Sequence, residues 1–279
     1  MSVELAQEQS PNLEERNEWI PPMPPTDLIF DDGEPLESNR HRIAINVAIE
    51  SIHQAYGDRD DYFAGGNMFV YYSSKQVRDR DFKGPDFFVA LEVDGTQERQ
   101  GWVVWEEQGR YPDVIVEFMS PSTAAQDTGR KKTLYEGTFR TRDYFVYDPF
   151  NPASFQGWHL DEQGKYQEIK PNDRGWLWCE ALGLWLGLWE GTIARETATW
   201  VRFYDRDGNL VPLGTEEAEQ ERDRAEQEHN RAEQERNRAE QERQEKEQAL
   251  AALEEAQREQ QRLRDRLTEM GIDPDRLQS

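Results

Sequence analysis

Apolar residues recur at two spacings along the first two thirds of the chain. Between Asp27 and Tyr56 the residues Ile43, Ala44, Val47, Ala48, Ile49 and Ile52 fall at helical spacing and predict a helix that Gly57 to Asp60 ends. Compact apolar runs follow. Asn67 to Tyr72 (NMFVYY), Asp86 to Val93 (DFFVALEV), Asp113 to Phe118 (DVIVEF) and Asp143 to Tyr147 (DYFVY) each read as a strand. Pro85 and Pro112 stand before two of them, where proline removes no interior ladder bond. Gln126 to Thr138 reads as a helix entered through SPSTAAQD. The order helix, strands, helix, strand predicts an α/β or α+β core.

Beyond Phe155 the pattern shortens. Phe155 to Leu213 is rich in glycine and tryptophan and predicts short antiparallel strands packed on the core, with DRDGN at Asp205 to Asn209 as a hairpin turn. The five tryptophans between Trp176 and Trp200 are read as packing for those strands. Residues 216–279 follow a different rule. RAEQEHN, RAEQERN and RAEQERQ run consecutively from Arg224 to Gln244, and alanine is the only apolar residue of the repeat. Alanine favours helix, yet one alanine per heptad is a thin seam for a coiled coil. From Leu250 onward Leu253, Ala256, Leu263, Leu267 and Met270 form an amphipathic stripe that calls for a partner helix. The expected domains are therefore a polar tail over 1–25, a core over 26–150, a β extension over 151–213 and a long charged helix over 214–279.

Composition narrows the function. Lys and Arg number 33 against 57 Asp and Glu, a formal net charge of -24. Residues 216–279 carry 20 acidic and 12 basic side chains and the rest carries 37 and 21, so both parts are acidic. This argues against non-specific nucleic-acid binding, which leaves a basic footprint. Lys75, Arg78, Arg80 and Lys83 are the local exception and the candidate nucleic-acid contact. The single cysteine, Cys179, excludes a disulfide framework and a cysteine zinc site. No secretory signal or membrane span is expected, and a cytoplasmic protein is the default reading.

One strand carries a residue that its setting does not explain. Glu117 lies among Val114, Ile115, Val116 and Phe118, and an unpaired buried carboxylate costs on the order of several kcal/mol. GPDFFVAL supplies a second carboxylate, Asp86, also in apolar sequence. On the following helix Asp127, Lys131 and Tyr135 are spaced i, i+4, i+8 and share a face, while Lys132 is turned about 100° away. Mg²⁺ is commonly held by one or two carboxylates with water and phosphate completing its shell. Asp86 and Glu117 as ligands of Mg²⁺ or Mn²⁺, with Lys131 to position or activate water, fit phosphodiester hydrolysis. Asp113 lies four residues before Glu117, too far to share one ion, and is read as a strand-entry residue. Ser120 and Ser122 are read as helix-capping residues, and His41 as packed or exposed.

GNMFVYY, GPDFFVAL, PDVIVEFMSPST, the D-x-x-x-K-x-x-x-Y helix and YFVYDP together resemble the Uma family of endonucleases, a cyanobacterial branch of the PD-(D/E)xK, restriction-endonuclease-like superfamily. The resemblance runs from about Asp27 to Trp200. It implies a mixed central sheet flanked by helices, with Asp86 and Glu117 as the family's acidic ligands and the backbone carbonyl of Phe118 completing the metal shell. The superfamily lysine belongs two residues after the glutamate, where this chain has Met119. The resemblance places it instead on the next helix, at Lys131 by its spacing to Tyr135, with Lys132 as the fallback. Glu37 would correspond to the first-helix glutamate. The implied activity is metal-dependent hydrolysis of DNA. The rival reading is a weakly active or inactive nuclease fold that serves as a scaffold and forms homo-oligomers through residues 216–279.

Overall fold

The computed structural model describes residues 25–26, 28–30, 38–79 and 84–271. Two compact units result, Met1–Leu213 and Gly214–Ser279. The first opens with helix α1 (Asn39–Tyr56), capped by Ser38, whose hydroxyl accepts the His41 N–H, and closed by Gly57 at φ 55°. Strands β1 (Tyr62–Gly66) and β2 (Val70–Tyr71), a short helix α2 (Ser74–Asp79), and strands β3 (Phe87–Leu91), β4 (Trp102–Val103) and β5 (Val114–Phe118) follow. A helical segment comes next. Its short α-turn, α3 (Lys132–Leu134), lies between π-helical turns at Gln126–Lys131 and Tyr135–Phe139. Strands β6 (Asp143–Asp148), β7 (Asn151–Leu160), β8 (Tyr166–Glu168), β9 (Leu177–Cys179), β10 (Leu184–Ile193) and β11 (Glu196–Tyr204) complete the unit.

The central sheet has six strands in the order β1-β3-β5-β6-β7-β8. It is mixed: β5 and β6 run parallel, and the other neighbouring pairs run antiparallel. A parallel pair needs a crossover connection, and here the crossover is the π-rich helix. Alternation along the strands divides the core in two. Phe87, Val89, Val114, Val116, Phe118, Phe145 and Tyr147 face α1 and the β9–β11 sheet. Phe88, Ala90, Ile115, Tyr144 and Val146 face the other way, packing with Tyr135 and Phe139 of the crossover and with Val70 and Trp102 of the β2–β4 pair. The result is a mixed α+β architecture with helices on the sheet, as expected. The second unit contains α4 (Gly214–Glu269), a helix of 56 residues.

The strand readings at Asp86–Val93, Asp113–Phe118 and Asp143–Tyr147 correspond to β3, β5 and β6. NMFVYY does not form one strand. Asn67 takes φ 50°, and only Val70 and Tyr71 pair, with β4. The strand beside β3 is instead YFAGG, β1, whose alanine and two glycines carry little β preference. Gly66 is required there, because a Cβ would lie 2.4 Å from Ile45 Cγ2 and 2.7 Å from the Asp86 carbonyl. Residues 151–213 do more than pack on the core. β7 and β8 are the last strands of the central sheet, and β7, β10 and β11 are long, at 10, 10 and 9 residues. DRDGN is a turn: Gly208 takes φ 85°, and the Asp205 carboxylate accepts the Asn209 N–H at 2.8 Å.

Candidate active site

Glu117 stands next to last in β5, in phase with Ile115, so alternation turns it toward the crossover helix. It is 0% exposed. Three groups meet its carboxylate. The Tyr135 hydroxyl donates to Oε1 at 2.7 Å, Lys131 Nζ donates to Oε2 at 3.0 Å, and the Asp86 N–H approaches Oε2 at 3.4 Å. The antiparallel register of β3 on β5, Phe87 opposite Val116, sets Asp86 across from Glu117. The Asp86 side chain in turn accepts the Phe118 N–H at 2.7 Å. Asn67 N–H donates to the Asp86 carbonyl at 3.1 Å, so the β1 end beside Gly66 holds Asp86 from the other flank.

A third carboxylate completes the cluster. Asp127, buried, pairs with Lys131 at 2.8 Å, and its backbone carbonyl accepts the Tyr144 hydroxyl at 2.8 Å. The helix that supplies Asp127, Lys131 and Tyr135 has π turns rather than the expected α geometry. Such turns are rare and concentrate at functional sites. The common face predicted by the spacing survives, because all three side chains join one network around Glu117.

The electrostatics follow from burial and charge. Burial pushes the Glu117 carboxyl above the usual carboxylate range. Lys131 and the Tyr135 hydrogen bond oppose that shift, and Asp127 adds to it. For Lys131 burial acts to lower the pKa, but Glu117, Asp127 and Asp86 outweigh it and hold the ammonium well above its ordinary value. Burial and then Glu117 push the Tyr135 phenol well up, so it remains a hydrogen-bond donor. Glu117 and Asp127 share the Lys131 ammonium, and Asp86 lies beside them at the end of β3. A divalent cation at Asp86 and Glu117 would oppose the effect of burial and favour the ionised form of Glu117.

The donor set fits a hard cation. Asp86 and Glu117 would provide oxygen ligands, and two carboxylates suffice for Mg²⁺ when water and phosphate supply the rest. Among the described residues no group of three or more His, Cys, Asp or Glu side chains is placed to hold a metal ion. A zinc-like site built wholly from side chains therefore has no counterpart among them.

The remaining candidates fall elsewhere. Lys132 Nζ sits 3.8 Å above the Trp158 ring, away from Glu117. Asp113 accepts the Leu91 N–H at 2.8 Å at the opposite end of β5. Ser120, Ser122 and Thr123 form a local hydroxyl turn leading into the crossover helix. Lys75 is exposed on α2, which also includes Arg78. Glu37, Arg80, Lys83 and the side chain of Arg78 lie outside the described residues. His41 is more than a packing residue. Its Nε2 lies 3.2 Å from the Met119 carbonyl and its Nδ1 2.8 Å from the Ser38 hydroxyl. A carbonyl only accepts, so Nε2 is the donor in that contact. His41 thereby ties the start of α1 to the chain two residues after Glu117.

The mixed sheet thus sets Asp86 and Glu117 at neighbouring strand ends, with Lys131 of the crossover helix beside Glu117. The chain belongs to the Uma2 family, described as "Putative restriction endonuclease", which matches residues 3–194. A solved structure from Anabaena variabilis ATCC 29413, described as a "putative nuclease belonging to DUF820", is similar over 53% of this chain and 76% of its own, at 12% identity and a TM-score of 0.37. No curated protein matches the chain.

Proposed function

We propose that the protein is a metal-dependent endonuclease that hydrolyses DNA phosphodiester bonds at the Asp86–Glu117 site. One observation carries the reading. The Glu117 carboxylate is fully buried beside Asp86, with Lys131 and Tyr135 of the crossover helix donating to its two oxygens. Asp86, Glu117 and the backbone carbonyl of Phe118 would hold Mg²⁺ or Mn²⁺. When bound, the ion supplies positive charge against the phosphodiester and makes water a better nucleophile at neutral pH.

The chain's own residues do the rest. Tyr135 donates to Oε1 and fixes the rotation of the Glu117 carboxylate. Lys131, held protonated by its carboxylates, serves as a hydrogen-bond donor to the attacking water or a phosphate oxygen rather than as a base. Asp127 fixes the lysine from the far side. His41 steadies the main chain just after Phe118. Lys75 and its basic neighbours in sequence supply the nucleic-acid contact that the acidic remainder of the chain lacks.

The test is a cleavage assay across single-stranded, double-stranded and branched DNA, with and without Mg²⁺ or Mn²⁺, run beside Glu117→Ala. Metal-dependent cutting that Glu117→Ala abolishes is the expected result. Cutting that survives in Glu117→Ala, or no cutting of any substrate, would overturn the assignment.

A further inference from the structure

The two parts of α4 solve different problems. Between 216 and 248 there are 13 acidic and 7 basic side chains. Arg231 pairs with Glu235 at 3.3 Å and Arg238 with Glu242 at 3.1 Å within the same helix. This stretch is at home as a solvated single helix. Between 249 and 271 there are 5 acidic and 4 basic side chains, and the charge nearly cancels. Here Leu250, Leu253, Leu263 and Met270 are 53, 55, 56 and 68% exposed, and no residue of α4 is buried.

One heptad frame runs through both parts. Setting a at Ala218 carries it through Ala225, Ala232 and Ala239 to Lys246, then to Leu253, Gln260 and Leu267. The d positions are Glu221, Glu228, Glu235 and Glu242, then Ala249, Ala256, Leu263 and Met270. The seam is therefore apolar only from Ala249 onward, with a single polar a layer at Gln260. A lone polar a residue sets register and strand number in parallel coiled coils. In a parallel in-register pair, g of one helix faces e of the next heptad in the other, so Glu259 meets Arg264 of the second copy, twice per pair. The same rule sets Arg231 against Arg236 and Arg238 against Arg243, with each d-position glutamate opposite its own copy. Pairing of like helices is favoured over 249–270 and opposed before it.

We propose that residues 249–270 are a homodimerisation segment: a short parallel two-stranded coiled coil with a second copy of this chain, Gln260 against Gln260 and Glu259 against Arg264. The occupant is a second copy because the surface complements itself: its polar a layer falls opposite its own copy, and Glu259 at g is opposite in sign to the Arg264 it meets at e. This inference is independent of the nuclease assignment.

Sedimentation of the full chain over a concentration series, at moderate salt, tests it. The chain is expected to pass from monomer to dimer, and Leu263→Glu is expected to remain monomeric with unchanged circular dichroism. Glu259→Arg or Arg264→Glu alone should weaken the dimer by about threefold or more, as two exposed ion pairs become like-charge contacts, and the double exchange should restore it. Leu263→Cys should form an inter-chain disulfide on oxidation, since Cys179 is buried and does not compete. A chain that stays monomeric throughout would overturn the proposal, as would a trimer or tetramer, or a dimer that Leu263→Glu leaves intact. A dimer that forms while Leu263→Cys gives no cross-link would overturn the parallel register.

Discussion

Replacing Lys131 with methionine isolates the charge logic of the site. Methionine keeps most of the aliphatic length and removes the ammonium, leaving Glu117 and Asp127 buried at 0 and 1% exposure without their shared cation. Removing one member of a buried ion pair costs about 3–5 kcal/mol. Lys131 itself is 20% exposed, so water reaches the vacated volume and the low end, about 3 kcal/mol, applies. In a unit of some 200 residues that corresponds to a fall in Tm of roughly 6–12 °C. Urea unfolding at several pH values reads it. The sign of the pH dependence is fixed. Glu117 already titrates above its unfolded value because of burial, and losing Lys131 raises it further. A carboxyl with a raised folded-state pKa costs stability above that pKa and regains it as pH falls toward the unfolded value. The deficit of Lys131→Met should therefore shrink on acidification. A deficit under about 1 kcal/mol at neutral pH, or one that grows as pH falls, would refute the reasoning.

The remaining predictions probe the supports of the site. Tyr135→Phe should lose about 1.5–3 kcal/mol in urea unfolding, because its hydroxyl donates to a buried carboxylate. Gly66→Ala should cost about 1–3 kcal/mol by overpacking and also weaken Mn²⁺ binding in calorimetry, because the added Cβ meets the Asp86 carbonyl. His41→Ala should lower stability by about 1–3 kcal/mol through the orphaned Met119 carbonyl, with His41→Gln recovering part of the loss. Lys132→Met should leave cleavage unchanged and lose about 0.5–1 kcal/mol of stability, since its ammonium rests on Trp158.

The parts of this molecule that were legible in its sequence are those where local pattern and tertiary role agree. The apolar runs of β3, β5 and β6 are buried on both faces and announce themselves as strands. Glu117 stood out because it breaks such a run, and Asp127, Lys131 and Tyr135 because their spacing gives them one face. What was hidden depends on packing between distant segments. β1 is a strand because β3 pairs with it and because Gly66 lets α1 approach, neither of which YFAGG reveals. NMFVYY has strand composition but bends at Asn67, where Asn67 N–H takes the Asp86 carbonyl. The π turns of the crossover left no mark in SPSTAAQDTGRKK, because wider turns use the same residue types as α turns. His41 reaches the Met119 carbonyl across 78 positions, a distance over which periodicity says nothing.

The proposed reaction needs a divalent cation between Asp86 and Glu117. Crystals soaked in Mn²⁺ and measured at the manganese edge test this most directly. An anomalous peak in contact with both carboxylates is expected, absent in Asp86→Ala and Glu117→Ala. Saturating Mn²⁺ with no peak between these two side chains would contradict it.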